Sequence, residues 1–444
     1  MKRGCRMILL LLGAGGCFSL AAQSQNAPAG KLNISDSLSY DQVLGEVLST
    51  YPAVLKAQEG IQAADAAIGL AKSGYYPYIS ADAGYTRLGP VSEITFPGFG
   101  TFEIYPPDNY QVTASVSQII YDFARTSRNV KLEQSGKVIS EQNVNFIKQR
   151  LELLTAICYY NLVYDQDAIR IKDLQLQTLR KHLDFVTRKE QTGSATQYEI
   201  LSTQVRISTA ENQKVDLETS RQTQLAILNS LLGLPGNTQL VMKKTLGLTV
   251  PDVLQDSLIN YALNHRYEMV LARLRENHAE LHLRAVKAQN NPVLSAFAEG
   301  GWKNGYIPDL NKFTANYAVG VGISYPVFDA NRHHNNIRLV NTEINISKED
   351  LNQTTRDVSS EVYQNIASLK ASMQKIDQCR LQVMQATQAL DLATISYQSG
   401  AITNLDLLDA ESNQEQSLLD LVKAQVDYAI NVVRLDISLG KQVQ

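Results

Sequence analysis

Apolar and polar residues alternate in four short stretches of this 444-residue chain. In 79–85, Ile79, Ala81, Ala83 and Tyr85 share one face, while Ser80, Asp82 and Gly84 share the other. In 110–117, Tyr110, Val112, Ala114 and Val116 oppose Gln111, Thr113, Ser115 and Ser117. Further on, Leu294, Ala296, Ala298 and Trp302 oppose Ser295, Glu299 and Gly301; Tyr317, Val319, Val321 and Ile323 oppose Ala318, Gly320, Gly322 and Ser324. A period of two predicts strands at about 77–87, 109–121, 292–303 and 316–327. Elsewhere the apolar positions recur at three-to-five spacing, as at Leu174, Leu179, Leu183 and Val186. Proline is absent between Pro107 and Pro235 and after Pro326, and glycine there is confined to Gly136, Gly193, Gly233, Gly400 and Gly440. With both helix breakers withdrawn, long helices are expected over about 124–191, 195–232, 331–398 and 402–439. Shorter helices are expected at about 39–50, 52–74, 256–265 and 267–290.

The same pattern is written twice. Tyr110-Gln111-Val112 matches Tyr317-Ala318-Val319, Tyr121-Asp122-Phe123-Ala124-Arg125 matches Phe328-Asp329-Ala330-Asn331-Arg332, and Leu232-Gly233 matches Leu439-Gly440. Gly193 in QTGSATQYEIL matches Gly400 in QSGAITNLDLL. Each pair is separated by 207 positions, whereas Pro77 to Ala81 match Pro292 to Ala296 at 215. The first copy therefore has the longer loop between Tyr85 and Tyr110. Four segments follow: a signal peptide at 1–22, a first repeat at 23–233, a linker at 234–255 and a second repeat at 256–444.

Composition narrows the setting. Lys2, Arg3 and Arg6 precede an apolar run ending in Ser19-Leu20-Ala21-Ala22, which reads as an export signal cleaved near Ala21 to Gln23. Lipid attachment at Cys17 is the alternative processing route. The whole chain carries −3; residues 1–22 hold three basic and no acidic side chains, so the remainder carries −6. A mildly acidic surface argues against nucleic acid as a partner. Beyond the signal no 18-residue apolar run offers a membrane helix. Alternating strands with aromatics at their ends (Tyr75, Tyr76, Tyr78, Tyr85, Tyr110, Tyr121, Trp302, Tyr317 and Tyr325) instead suit a transmembrane β-barrel. A half-buried soluble sheet would alternate in the same way. Four strands are too few to enclose a lumen, so such a barrel is shared between chains, two giving eight strands and three giving twelve. Cys158 and Cys379 fall at helix positions separated by about 21 Å along the axis, too far for a disulfide. His278 and His282 flank Glu280 at i,i+4 without a third ligand, so no metal site is expected there. No nucleophile elbow, phosphate loop or dinucleotide fingerprint is present, and neither catalysis nor a cofactor is expected.

The export signal, the duplicated helix–strand–strand–helix unit, the aromatic-Asp-x-x-Arg junctions at Tyr121–Arg125 and Phe328–Arg332, and LDLLDA at 405–410 together resemble the TolC family. The resemblance implies a fold of mixed α and transmembrane β. A homotrimer would share a 12-stranded β-barrel in the outer membrane of a Gram-negative bacterium, continued by a long periplasmic α-helical barrel. It places the 234–255 linker in an equatorial belt and the two glycine turns at a periplasmic tip. Asp406 and Asp409 would form acidic rings around the aperture, with Glu199 and Tyr397 in the contacts that close it. Gly193, Ser194, Ala195, Gly400, Ala401 and Ile402 would form the tip turns and the docking surface for a periplasmic membrane-fusion adaptor. At Ile402 the family prototype has a basic residue. The expected function is the exit duct of a tripartite efflux pump driven by an inner-membrane RND-type or ABC-type transporter. A type I protein-secretion duct is the alternative, and a periplasmic coiled-coil structural or adaptor protein the reading from a different class.

Overall fold

The computed structural model of the chain describes residues 37–244 and 255–441. The signal segment, Cys17 and linker residues 245–254 lie outside the described residues. In chain order the elements are α1 (Tyr40–Thr50), α2 (Pro52–Ser73), β1 (Tyr78–Arg87), β2 (Glu93–Phe96), β3 (Gly100–Glu103), β4 (Asp108–Tyr121), α3 (Arg125–Gln191) and α4 (Gln197–Leu232). The second half runs α5 (Gln255–His265), α6 (Tyr267–Ala288), β5 (Val293–Lys303), β6 (Thr314–Ser324), α7 (Arg332–Gln398) and α8 (Asn404–Ser438). The β2–β3 hairpin has no counterpart among the described residues of the second half and occupies the longer loop of the first. Helices α3 and α7 are each 67 residues long. At 1.5 Å per residue each is a rod of about 100 Å.

One antiparallel sheet has the order β1-β4-β5-β6, so the two repeats meet at the β4–β5 pair. Its register keeps each face uniform. Ile79 lies opposite Val116, Ala81 opposite Ala114 and Tyr85 opposite Tyr110. Across the repeat boundary Ala114 faces Gly300 and Val116 faces Ala298, and Val321 then faces Ala296. The other face pairs Ser80 with Ser115, whose hydroxyls lie 2.8 Å apart, and Asp82 with Thr113. The apolar set on β6 (Tyr317, Val319, Val321 and Ile323) is fully open to the surroundings of the single chain. Phe297 breaks the polar face, and Gly320 makes room for it: a Cβ there would meet the ring at 2.7 Å.

Strand turns into helix by the same device in both repeats. Phe123 and Ala124 adopt φ of 50° and 70°, and Ala330 and Asn331 adopt 54° and 64°. Two successive left-handed residues without glycine are costly and need local compensation. The aspartate of the junction motif supplies it: Asp122 Oδ2 accepts from the Thr126 amide at 2.6 Å, and Asp329 Oδ2 from the His333 amide at 2.7 Å. An acceptor at the head of a helix satisfies an otherwise orphaned N–H and suits the positive end of the helix dipole.

The largest apolar core surrounds the middle of α3, where Tyr159, Leu162, Leu228, Leu240 and Val426 join side chains of α1 and α2. The Tyr159 hydroxyl lies 2.9 Å from the Leu38 carbonyl and 2.7 Å from that of Lys243, tying two loop segments to the rod. A second core collects α5, α6, α7 and α8 around Met269, Val362, Ile366 and Tyr428. Cys158 and Cys379 are buried, free, and in different cores. No described helix is long and apolar enough to cross a membrane.

Candidate functional site: the helix tips and the sheet edges

Both glycine turns close in the same geometry. Gly193 and Gly400 take φ of +73° and +79°, the left-handed region that a side chain disfavours. The Ser194 amide donates to the Lys189 carbonyl and the Ala401 amide to that of Ser396, both at 2.8 Å, which is the six-to-one bond of a Schellman cap. The next helix then starts with a reciprocal capping box. Thr196 and Glu199 exchange bonds at the head of α4, as Thr403 and Asp406 do at the head of α8. The T-x-x-acid spacing that marks these starts is legible in the sequence at 196–199 and 403–406.

These caps define what each acid can do. Asp406 is exposed, and its Oδ2 accepts from the Thr403 hydroxyl at 2.6 Å and the Thr403 amide at 2.9 Å. Those two bonds, the hydroxyl first, hold its carboxyl below the usual range. Asp409, one turn further along α8, is exposed and pairs with Arg206 of α4 at 2.5 Å. One acid of the pair thus has a cationic neighbour in its own chain. Glu199 uses Oε1 for its cap and Oε2 for Tyr397, whose hydroxyl donates at 3.2 Å. Tyr397 is buried, and burial followed by the charge of Glu199 pushes its phenol up to about 12, so it remains a donor. Ser194 and Ala401 are exposed, while Ala195 and Ile402 are half-buried. A cleft of about 470 Å³ separates the two turns, lined by Lys189, Thr196, Tyr198, Glu199, Tyr397 and Ile402 among others.

Sequence did not single out Arg206, nor two side chains of α3 at this end, His182 and Lys189. His182 Nε2 lies 2.5 Å from Asn404 Oδ1. The ammonium of Lys189 sits over the rings of Phe185 and Tyr397. By contrast His278 and His282 go separate ways, to Ser135 at 2.7 Å and to Glu343 at 3.2 Å. Among the described residues no cluster suits a metal ion.

At the other end, β1 and β6 each leave one side unpaired. A two-faced sheet with bare edges among the described residues, carried on rods of about 100 Å, suits a channel protein of the outer membrane. Similarity to known proteins agrees. The model of the outer membrane efflux protein family matches residues 43–234 and again 258–441, and the chain belongs to that family. Its members are channels and not enzymes, and their place is the outer membrane. The chain is 25% identical over 341 residues to the alkaline protease secretion protein AprF of Pseudomonas aeruginosa, covering 75% of this chain and 70% of that one. It is 20% identical over 429 residues to the outer membrane protein TolC of Escherichia coli, covering 93% and 84%. The crystal structure of the outer membrane protein VceC from Vibrio cholerae superposes with a TM-score of 0.76 at 20% identity, covering 91% of this chain and 97% of that chain.

Proposed function

We propose that three copies of this chain form a passive exit duct whose seams repeat the join already present between its own two halves. The β4–β5 pair carries this reading. It links the second strand of one repeat to the first strand of the next, and β6 and β1 are the equivalent strands, each left with one unpaired side among the described residues. A heterologous contact of this kind closes into a ring when the rotation allows, and closure removes the exposed edges. Moving the Ala114–Gly300 pair along the 207 and 215 offsets sets Val321 opposite Tyr85 of the partner subunit. Both lie on apolar faces, so the inferred seam preserves the two-faced character of the sheet. The rods would then line a periplasmic tube, with Asp406 and Asp409 repeated around its tip. The exposed turns at Ser194–Gln197 and Ala401–Thr403 are the docking surface for a periplasmic adaptor, whereas Asn404, expected with them, is buried. Through that adaptor an inner-membrane transporter would deliver small molecules.

The test is a Tyr85→Cys, Val321→Cys variant. Directly opposed residues of antiparallel strands fall within disulfide range. Oxidation is expected to yield covalent trimers that still conduct in planar bilayers, whereas Tyr85→Cys with Val319→Cys stays unlinked. A mature protein that is water-soluble, monomeric and non-conducting would overturn the duct. Likeness to AprF favours a second cargo, a secreted polypeptide. A strain lacking the chain would then lose an extracellular protein and keep its resistance to toxic amphiphiles.

A further inference from the structure

Four helices converge at the tip on one buried imidazole. His182 of α3 is 9% exposed. Its partner oxygen on Asn404, the first residue of α8, can only accept, so Nε2 carries the proton. That leaves the Asn404 amide nitrogen to face Ser202 Oγ at 3.4 Å and the Glu199 carbonyl at 3.5 Å, both on α4. The imidazole also packs on Tyr397 of α7, with ring centres 5.5 Å apart. Lys189 lies 4.9 Å from the Phe185 ring centre and 4.8 Å from that of Tyr397. It gives the α3–α7 contact a cation held on aromatic faces instead of in a salt bridge.

This cluster occurs once per chain. At the 207 offset His182 corresponds to Ala389, Lys189 to Ser396 and Asn404 to Gln197. The other half of the duplication has no residue to build it, so the asymmetry is specific to the contact between the α3–α4 and α7–α8 hairpins.

We propose that His182 and Lys189 are positioning residues that hold the α7–α8 hairpin against the α3–α4 hairpin in the closed tip, and that protonation of His182 releases that hold. The proposal rests on the duct reading, since it concerns the aperture of that duct. The charged and titratable groups facing His182 are Lys189 on its own helix, Glu199 from α4 and Tyr397 from α7; α8 contributes only the neutral Asn404. Burial is the strongest influence and lowers the affinity of the imidazole for a proton; Lys189 acts in the same direction, while the Asn404 bond and Glu199 oppose them. The net effect holds His182 below its ordinary value of 6.5. Separation of the hairpins exposes the ring and restores that ordinary value. The open tip therefore binds the proton more tightly, and acid favours opening. The closed state has its full advantage above pH 6.5. It loses that advantage as pH falls towards the depressed value, by about tenfold per chain for each pH unit.

The experiment is single-channel conductance of the intact protein in planar bilayers between about pH 8 and pH 5, around the ordinary histidine range. Wild type is expected to conduct weakly at the alkaline end and to open below about pH 6.5. His182→Gln retains a donor for Asn404 without a titratable ring, and is expected to stay weakly conducting throughout. His182→Ala removes the tie and is expected to conduct strongly even at the alkaline end. Lys189→Met takes the cation off the Phe185 and Tyr397 rings, weakens the closed tip and is expected to shift the opening to higher pH. A His182→Gln profile that overlays wild type, or a His182→Ala channel that stays closed at the alkaline end, overturns the proposal and leaves the duct intact. No channel from any of the four proteins overturns the duct reading and this inference together.

Discussion

Removing the ammonium of Lys172 strands a largely buried carboxylate. Lys172 Nζ lies 2.8 Å from Glu415 Oε1, with the two side chains 4% and 7% exposed, and the pair joins the body of α3 to α8. The lysine also reaches Gln213 of α4 at 2.5 Å and Gln175 at 3.2 Å. Deleting one member of such a pair costs about 3–5 kcal/mol, because the remaining charge is desolvated without compensation. The exposed Arg180–Glu211 bridge, also at 2.8 Å, is worth only about 0–1 kcal/mol. Lys172→Met is therefore expected to lower the local opening free energy of α3 and α8 by about 3–5 kcal/mol. Glu415→Gln should fall at the low end of that range, since Gln213 is exposed and can still serve the lysine. Replacing both by apolar residues, Lys172→Met with Glu415→Leu, removes both charges and is expected to recover most of the loss. Native-state hydrogen exchange in detergent reads these values locally, helix by helix. If each single change cost less than about 1 kcal/mol and the double change their sum, the pair would be solvated and the reasoning wrong.

Two further outcomes follow from the tip and the sheet. Asp406→Asn with Asp409→Asn keeps both shapes and removes both charges. It is expected to weaken block of the current by hexamminecobalt(III) about tenfold or more, as loss of the proposed acidic rings requires; unchanged block would place these carboxylates away from the pore. Gly301→Ala would set a Cβ 2.1 Å from the Val112 carbonyl oxygen and 2.8 Å from Thr113 Cα, contacts with backbone that has nowhere to go. It is expected to reduce heat-modifiable trimers several-fold. The adjacent Gly300→Ala, whose nearest neighbour would lie at 3.8 Å, should assemble normally. Equal assembly of the two would contradict the close passage of β4 and β5.

The strands were readable because each has one uniform face, and the rods because proline and glycine are missing from them. The β2–β3 hairpin was not readable. Its strands are four residues each, too short to display a period, and they flank Pro97-Gly98-Phe99, which reads as loop. The alternation puts Phe297 on the polar face with Ser295 and Glu299, but only the β5–β6 register shows that Gly320 makes room for it. At the tip, Glu199 and Tyr397 were reached through family resemblance and prove to be in contact. His182 was passed over for a physical reason. Alone on a helix it looks like any half-polar position, and its meaning depends on Asn404, 222 residues away. The same holds for Arg206, whose partner Asp409 lies 203 residues further on. Local patterns expose elements; contacts between hairpins come only from the fold.

The unpaired edges of β1 and β6 also have a genetic consequence. In hydrocarbon each bare backbone group costs several kcal/mol, so a lone chain has no tenable inserted state. In the proposed ring, one subunit with a damaged β1 spoils a seam that two sound subunits cannot repair. When sound and damaged chains are made together, intact rings decline as the cube of the sound fraction. Lesions in the edge strands should therefore behave as dominant alleles, whereas loss of the whole gene copy should be recessive.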